Sequence, residues 1–259
     1  MSAKAPRVST LNPDVLTVVH CYSGDRQQVI DLLDVYEHHD TEVVIISPVD
    51  SPVHNIRHHD TRVAGEVAYI GQKSWDRQHA QLELLLEYPC KWYLLNDSDS
   101  FILTPKLPAY LFADENIVYS NQVHDFRVDD PRWGPTFHAP LPPIAMQPPY
   151  FLSRKALEKI VKASKGLEAC PVCPFIDWWW VPACYAAGVK HAPYQFCASC
   201  ETVTPNGIAV MSQCISELGA EAIHAIKRKE IKELMLHLHR RRNEANGTPK
   251  TYPHVKSHY

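Results

Sequence analysis

Two groups of residues in this 259-residue chain have the types and spacing to do chemistry. The first is Asp97-Ser98-Asp99, which closes the apolar run Trp92-Tyr93-Leu94-Leu95-Asn96. In an extended chain side chains repeat every two residues, so both carboxylates can face one side. Hard oxygen ligands at that spacing suit Mg²⁺ or Mn²⁺ better than zinc. Asp and Ser are also ordinary turn residues at strand ends, and the tripeptide can be read as a plain turn. The second group is Cys170-Pro171-Val172-Cys173 with Cys197-Ala198-Ser199-Cys200, two C-x-x-C pairs that match the ligand count of a structural Zn²⁺ site. Twenty-three residues separate Cys173 from Cys197, so a zinc ion there would pin two loops of one domain instead of folding an independent finger. Reduced thiols or small core residues are the competing reading.

The elements that must position these groups follow from hydrophobic patterning. The run before Asp97 does not alternate with polar residues, as expected of a parallel strand covered on both faces. Val15–His20 reads as a first strand ending in the polar turn Cys21-Tyr22-Ser23-Gly24-Asp25. Val29, Leu32, Leu33 and Tyr36 fall on one helical face, and Val43–Ile46 is a second β-branched run stopped by Ser47-Pro48. Trp75, Leu82, Leu85 and Leu86 share a helical face just before the Asp97 strand. This β-α-β-α-β order predicts an α/β domain with a mainly parallel central sheet flanked by helices. In such sheets ligands bind outside the carboxyl ends of the strands, where Asp97 and Asp99 would sit.

Further along, residues 131–149 hold seven of the 21 prolines and read as a long loop, either a binding loop or a rigid surface wrap, with no central strand. Ser153 should cap a helix running through Ser164, Asp177–Gly188 reads as another helix, and Ile231, Leu234, Met235 and Leu238 place a third within Lys227–Arg242. The last of these is basic. Residues 224–259 carry nine Lys/Arg against three Asp/Glu in a chain of net charge −3. Such a segment either touches phosphates or nucleic acid, or is a solvated helix with a basic end favoured by the helix dipole.

A hydrophobic content of 45% suffices for one large domain. No apolar run approaches eighteen residues and no charged-then-apolar leader opens the chain, which predicts no membrane span and a cytoplasmic location. In that compartment the eight cysteines are expected as thiols, core residues or metal ligands.

Several of these groups, in chain order, resemble the metal-dependent nucleotide-sugar glycosyltransferases of the GT-A fold. Val18-Val19-His20-Cys21-Tyr22-Ser23 is similar to the segment that contacts the nucleoside in that family, and Asp97-Ser98-Asp99 to its D-x-D. Pro149-Tyr150-Phe151-Leu152-Ser153-Arg154-Lys155-Ala156-Leu157 is similar to the strand and helix start beneath the donor sugar. Phe175-Ile176-Asp177 resembles the acidic motif that opens the acceptor-side helix. Ala222-Ile223-His224-Ala225-Ile226-Lys227 resembles the late segment whose histidine is a third metal ligand, with a lysine that reaches the diphosphate. The resemblance spans roughly residues 14–230. It departs at Ile176, where many relatives have a second carboxylate, and before Phe151, where the usual glycines are missing.

The resemblance implies a GT-A-like domain over residues 1–242, with 14–104 as the nucleotide-binding half and 105–226 as the acceptor-side half, followed by a basic tail over 243–259. It implies a nucleoside-diphosphate sugar donor contacted by Cys21, Tyr22, Ser23, Asp97 and Lys227, and Mn²⁺ or Mg²⁺ held by Asp97, Asp99 and His224. Sugar transfer needs stabilisation of the charge growing on the leaving diphosphate and a base for the acceptor hydroxyl. Asp177 is the expected base in an inverting reaction. It precedes Trp178-Trp179-Trp180, whose rings would either desolvate it and stack on a sugar or base, or fill the core behind a helix-capping aspartate. A modified base in DNA of the phage type is one acceptor that would use the basic tail. The competing reading is a zinc-containing nucleic-acid-binding module without catalysis, which explains the C-terminal third and leaves the Asp97 strand without a purpose.

Overall fold

The computed structural model describes residues 12–20, 41–46, 59–60, 71–97, 101–102, 107, 109–124, 144–169, 176–193, 197–199 and 222–224. The opening strand β1 (Asn12–His20) pairs in parallel with β2 (Thr41–Ile46) on one side and with β4 (Trp92–Asp97) on the other, while β3 (His59–Asp60) extends the sheet beyond β2. Its other half comes from β6 (Ile117–His124), β7 (Ile144–Ser153) and β8 (Lys190–Pro193). The order is β3-β2-β1-β4-β7-β6-β8. The ladders of β7 with β4 and β6 are antiparallel and the rest parallel, giving the mainly parallel α/β sheet that the sequence pattern predicts. A small second sheet joins β5 (Phe101–Ile102), β10 (Ala222–His224) and β9 (Cys197–Ser199) in the order β5-β10-β9.

Three α-helices are described, besides a 3₁₀ turn at Ala109–Phe112. The first, α1 (Gln72–Leu85), directs Trp75, Leu82 and Leu85 into the core. At α2 (Arg154–Ser164) the expected cap forms: Ser153 Oγ accepts from the Ala156 N–H at 3.0 Å and donates to the Glu115 carbonyl at 2.6 Å. Its buried face, Ala156, Leu157, Ile160 and Val161, follows the helical period. The third, α3 (Ile176–Ala187), buries every residue from Trp178 to Cys184, so it is enclosed instead of amphipathic. Tyr150 of β7 stacks on Trp180 at 4.4 Å, while on the other face of the sheet Phe151 stacks on Trp92 at 5.4 Å and meets Phe112 edge-on. Cys184 is buried in this core and burial pushes its thiol up to about 12, so it remains a protonated packing residue. The helices expected around Val29–Tyr36 and Lys227–Arg242 lie outside the described residues.

One expectation is overturned. The proline-rich stretch 131–149 does not end as a loop, because β7 begins at Ile144 and lies between β4 and β6. The sheet accommodates Pro148 and Pro149 in a bulge. Register on β6 passes directly from Asn121 opposite Gln147 to Ser120 opposite Tyr150, and the β4 ladder stops at Leu95 opposite Tyr150. Neither proline has to donate to a ladder, which removes the objection to proline in a central strand. The Pro148–Pro149 peptide is cis.

Candidate functional site at the carboxyl end of the central strands

Strand β4 is buried from Trp92 to Asn96, and Asp97 is its first residue to reach solvent. On the neighbouring strand His20 stands directly opposite Asp97 in the parallel register, so the two side chains share one face of the sheet. That face is covered by α1 and α3. From α1 come Gln78 and Gln81, both buried; from the first turn of α3 comes Asp177, half-buried. Together His20, Gln78, Asn96, Asp97, Tyr150 and Asp177 line a crevice with about 10 Å³ of free volume, room for about one water. Among the described residues the crevice has no room for a whole ligand, and buried His20 forms part of its floor.

The histidine at this floor is neutral at pH 7. Burial lowers its pKa to about 4, the positive Arg77 on α1 acts in the same direction, and a hydrogen bond with Gln81 partly opposes them. His20 thus offers hydrogen-bonding nitrogens to the crevice and no charge. Asp177 is engaged from β7, where Gln147 Nε2 donates to its Oδ2 at 3.4 Å. The crevice therefore combines two half-buried carboxylates from different elements with neutral amide and imidazole groups around them.

Of the residues singled out in the sequence, Asp97 and Asp177 are brought together here. Trp178, Trp179 and Trp180 are each 2% exposed or less, which corrects the idea that they stack on a sugar or a base: they fill the core behind Asp177. His224 is described as backbone only, in β10. There Ile223 pairs with Phe101, so the strand bearing His224 lies against the strand that starts two residues after Asp99. Cys197 likewise is described only as backbone, in β9, opposite Ala222. Cys21, Tyr22, Ser23, Asp99, Cys170, Cys173, Cys200 and Lys227 lie outside the described residues, as does the basic tail. Among the described residues no three His, Cys, Asp or Glu side chains are placed to hold a metal, and no helix is long and apolar enough to cross a membrane.

The sequence pattern places His20 at the end of the first strand without assigning it a role, and does not single out Gln78, Gln81 or Gln147. The glutamines on α1 left a trace, since Gln78 lies three residues after Trp75 and four before Leu82, a polar residue on an apolar stripe. Gln147 left none, because the prolines around it obscure any strand period.

No protein-family model and no curated protein sequence matches the chain. Solved structures similar to it include a glycosyltransferase involved in the glycosylation of the major capsid of PBCV-1, at 13% identity and a TM-score of 0.46, covering 85% of this chain and 98% of that one. The galactosyltransferase LgtC in complex with donor and acceptor sugar analogs is similar at 13% identity and a TM-score of 0.49, covering 93% and 98%. A197 from STIV is similar at 11% identity and a TM-score of 0.34, covering 69% and 80%.

Proposed function

We propose that the protein is a GT-A-type glycosyltransferase that moves a sugar from a nucleoside diphosphate to an acceptor hydroxyl, with a divalent metal and with inversion. The observation that carries this reading is the meeting of Asp97, at the end of the buried strand β4, with Asp177, from the first turn of α3, at the carboxyl edge of a mainly parallel sheet. Asp177 takes the proton of the acceptor hydroxyl as its oxygen bonds to the anomeric carbon, and the bond from that carbon to the diphosphate breaks on the opposite face, leaving its electron pair on the nucleoside diphosphate.

The metal is assigned to Asp99 directly, to Asp97 through water unless that carboxylate contacts the ribose instead, and to His224. This is a hard oxygen and imidazole set that fits Mn²⁺ or Mg²⁺, and the β5–β10 ladder supports it by joining the two chain segments concerned. A divalent cation there supplies Lewis-acid stabilisation of the leaving diphosphate, worth several kcal/mol. Cys21, Tyr22 and Ser23 follow directly on β1 and are assigned to the nucleoside, and Lys227 to the diphosphate. A structural Zn²⁺ on Cys170, Cys173, Cys197 and Cys200 is a separate proposal, tested by metal analysis of the purified protein.

For the acceptor, the basic segment 228–259 suits a polyanion such as DNA carrying a modified base. If several of its charges meet phosphates, log affinity falls steeply with log salt, nearly one unit per contact, and replacing Arg240, Arg241 and Arg242 makes the slope shallower. The transfer reaction itself is tested by incubating the protein with UDP- and GDP-hexoses, Mn²⁺ and candidate acceptors, and reading the anomeric configuration of fresh product by NMR. Inverted product is expected. A retained configuration removes the base role of Asp177.

A further inference from the structure

Gln147 is 8% exposed, on the last paired position of β7 before the Pro148–Pro149 bulge, with Asn121 opposite it on β6. The two prolines that follow have restricted φ, so the backbone leaving Gln147 has little freedom. Bulges beside active sites commonly re-aim a side chain, and here the residue at the bulge reaches across to another element: its Nε2 donates to Asp177 Oδ2 at 3.4 Å. An aspartate in the first turn of a helix can turn about two side-chain bonds. A donor on a rigid strand restricts that rotation. The donor is also neutral, and a neutral amide orients a carboxylate with less loss of basicity than a lysine or arginine in the same place would cause.

We propose that Gln147 is a positioning residue that holds the Asp177 carboxylate in its productive orientation; this rests on the reading of Asp177 as the acceptor base. It assigns a purpose to the Pro148–Pro149 interruption of β7. The interruption places the amide donor next to the base.

The test is a double-mutant cycle on the full chain with UDP- and GDP-hexoses and Mn²⁺, comparing wild type, Gln147→Leu, Asp177→Asn and the double variant. Positioning predicts that Gln147→Leu lowers kcat about tenfold with the donor KM unchanged, and that the double variant is no slower than Asp177→Asn alone. Gln147→Met keeps the size and loses the donor without adding charge, so it should also lose kcat, and it serves where the leucine variant does not fold. An unchanged kcat in the folded variant, or losses that multiply in the double variant, overturns the proposal. So does a raised donor KM with kcat preserved, which moves Gln147 into donor binding. A wild type inactive with every nucleotide sugar overturns the glycosyltransferase reading and this inference with it. An active wild type with an impaired Asp177→Asn and normal Gln147 variants removes this inference alone.

Discussion

The two ends of the central sheet differ in a way that crevice size would misread. At the amino end of β1 and β4 lies the larger opening, about 580 Å³, lined by Lys91, Glu115, Arg154, Lys155 and Glu158 among others. Among its charges, Arg154 cross-links chain segments, and the exposed lysine–glutamate pairs add little. Arg154 donates to the carbonyls of Leu86 at 2.7 Å and Tyr88 at 2.9 Å, to the Tyr93 hydroxyl at 3.2 Å and to Glu158 at 3.0 Å, and so ties the end of α1 to the start of α2. Lys91 and Lys155 both lie against Glu115, at 3.3 Å and 4.0 Å. The crevice formed by the described residues at the carboxyl end has about 10 Å³ of free volume, yet His20, Asp97 and Asp177 converge there from three elements. The amino end has room and charge arranged as structural cross-links, and the carboxyl end has groups of mixed chemistry held where strands stop.

Substitutions at the two ends should therefore separate activity from stability. The largest effect is expected at the carboxyl end: Asp99→Ala abolishes metal-dependent donor hydrolysis, and Asp97→Ala lowers it about 10³-fold, the several kcal/mol a metal supplies, with little change in melting temperature. Full Mn²⁺-dependent turnover in either variant breaks the metal assignment.

The next effect concerns pH. His20 titrates near 6.5 when unfolded and about 4 when folded, so as pH falls the unfolded chain takes up the proton first. Its contribution is fully present above about pH 6.5 and is lost on acidification toward pH 4, on the order of 3 kcal/mol in all. Urea unfolding at pH 7 and pH 4.5 should show a smaller acid-induced loss in His20→Gln than in wild type. Equal losses would mean that His20 is not held neutral.

Asp177→Asn should keep donor and metal binding while turnover drops about 10²-fold, as expected for removal of a general base. Lost donor binding with normal chemistry would move Asp177 to the sugar pocket. The smallest effect belongs to the amino end and has the opposite character. Arg154→Met removes the guanidinium donor to the Leu86 carbonyl and one of the donors to the Tyr88 carbonyl, which keeps the Cys90 N–H and the Tyr93 hydroxyl, and should cost about 2 kcal/mol of stability, with kcat unchanged in the folded fraction. A loss of kcat at full stability would give the larger crevice a functional role and undo the contrast.

The legibility of these two ends in the sequence also differs. Trp92–Asp97 was readable because an unbroken apolar run ending on carboxylates has few structural alternatives, and Ser153 because a cap is a local hydrogen bond between neighbours in the chain. The course of β7 was not readable, since its prolines are tolerated only through pairing with β4 and β6, which no local pattern encodes. Trp178–Trp180 supported two readings equally, because burial of a ring depends on what lies against it, here Tyr150 from a strand some thirty residues earlier. His20 could be placed at a strand end, but its neutral state comes from α1 packing over it. Asp97 and Asp177 could each be picked out alone, whereas their shared crevice is a product of tertiary packing.

The central claim, that the carboxyl edge at Asp97 holds a nucleotide sugar through a divalent metal, is most directly tested by the thermal stability of wild type and Asp97→Ala with UDP- and GDP-hexoses, each with and without Mn²⁺. A ligand that binds the native state raises its melting temperature by mass action. At least one nucleotide sugar should stabilise the wild type only when Mn²⁺ is present, and Asp97→Ala should remove the shift. Equal Mn²⁺-dependent stabilisation of both proteins would contradict that claim.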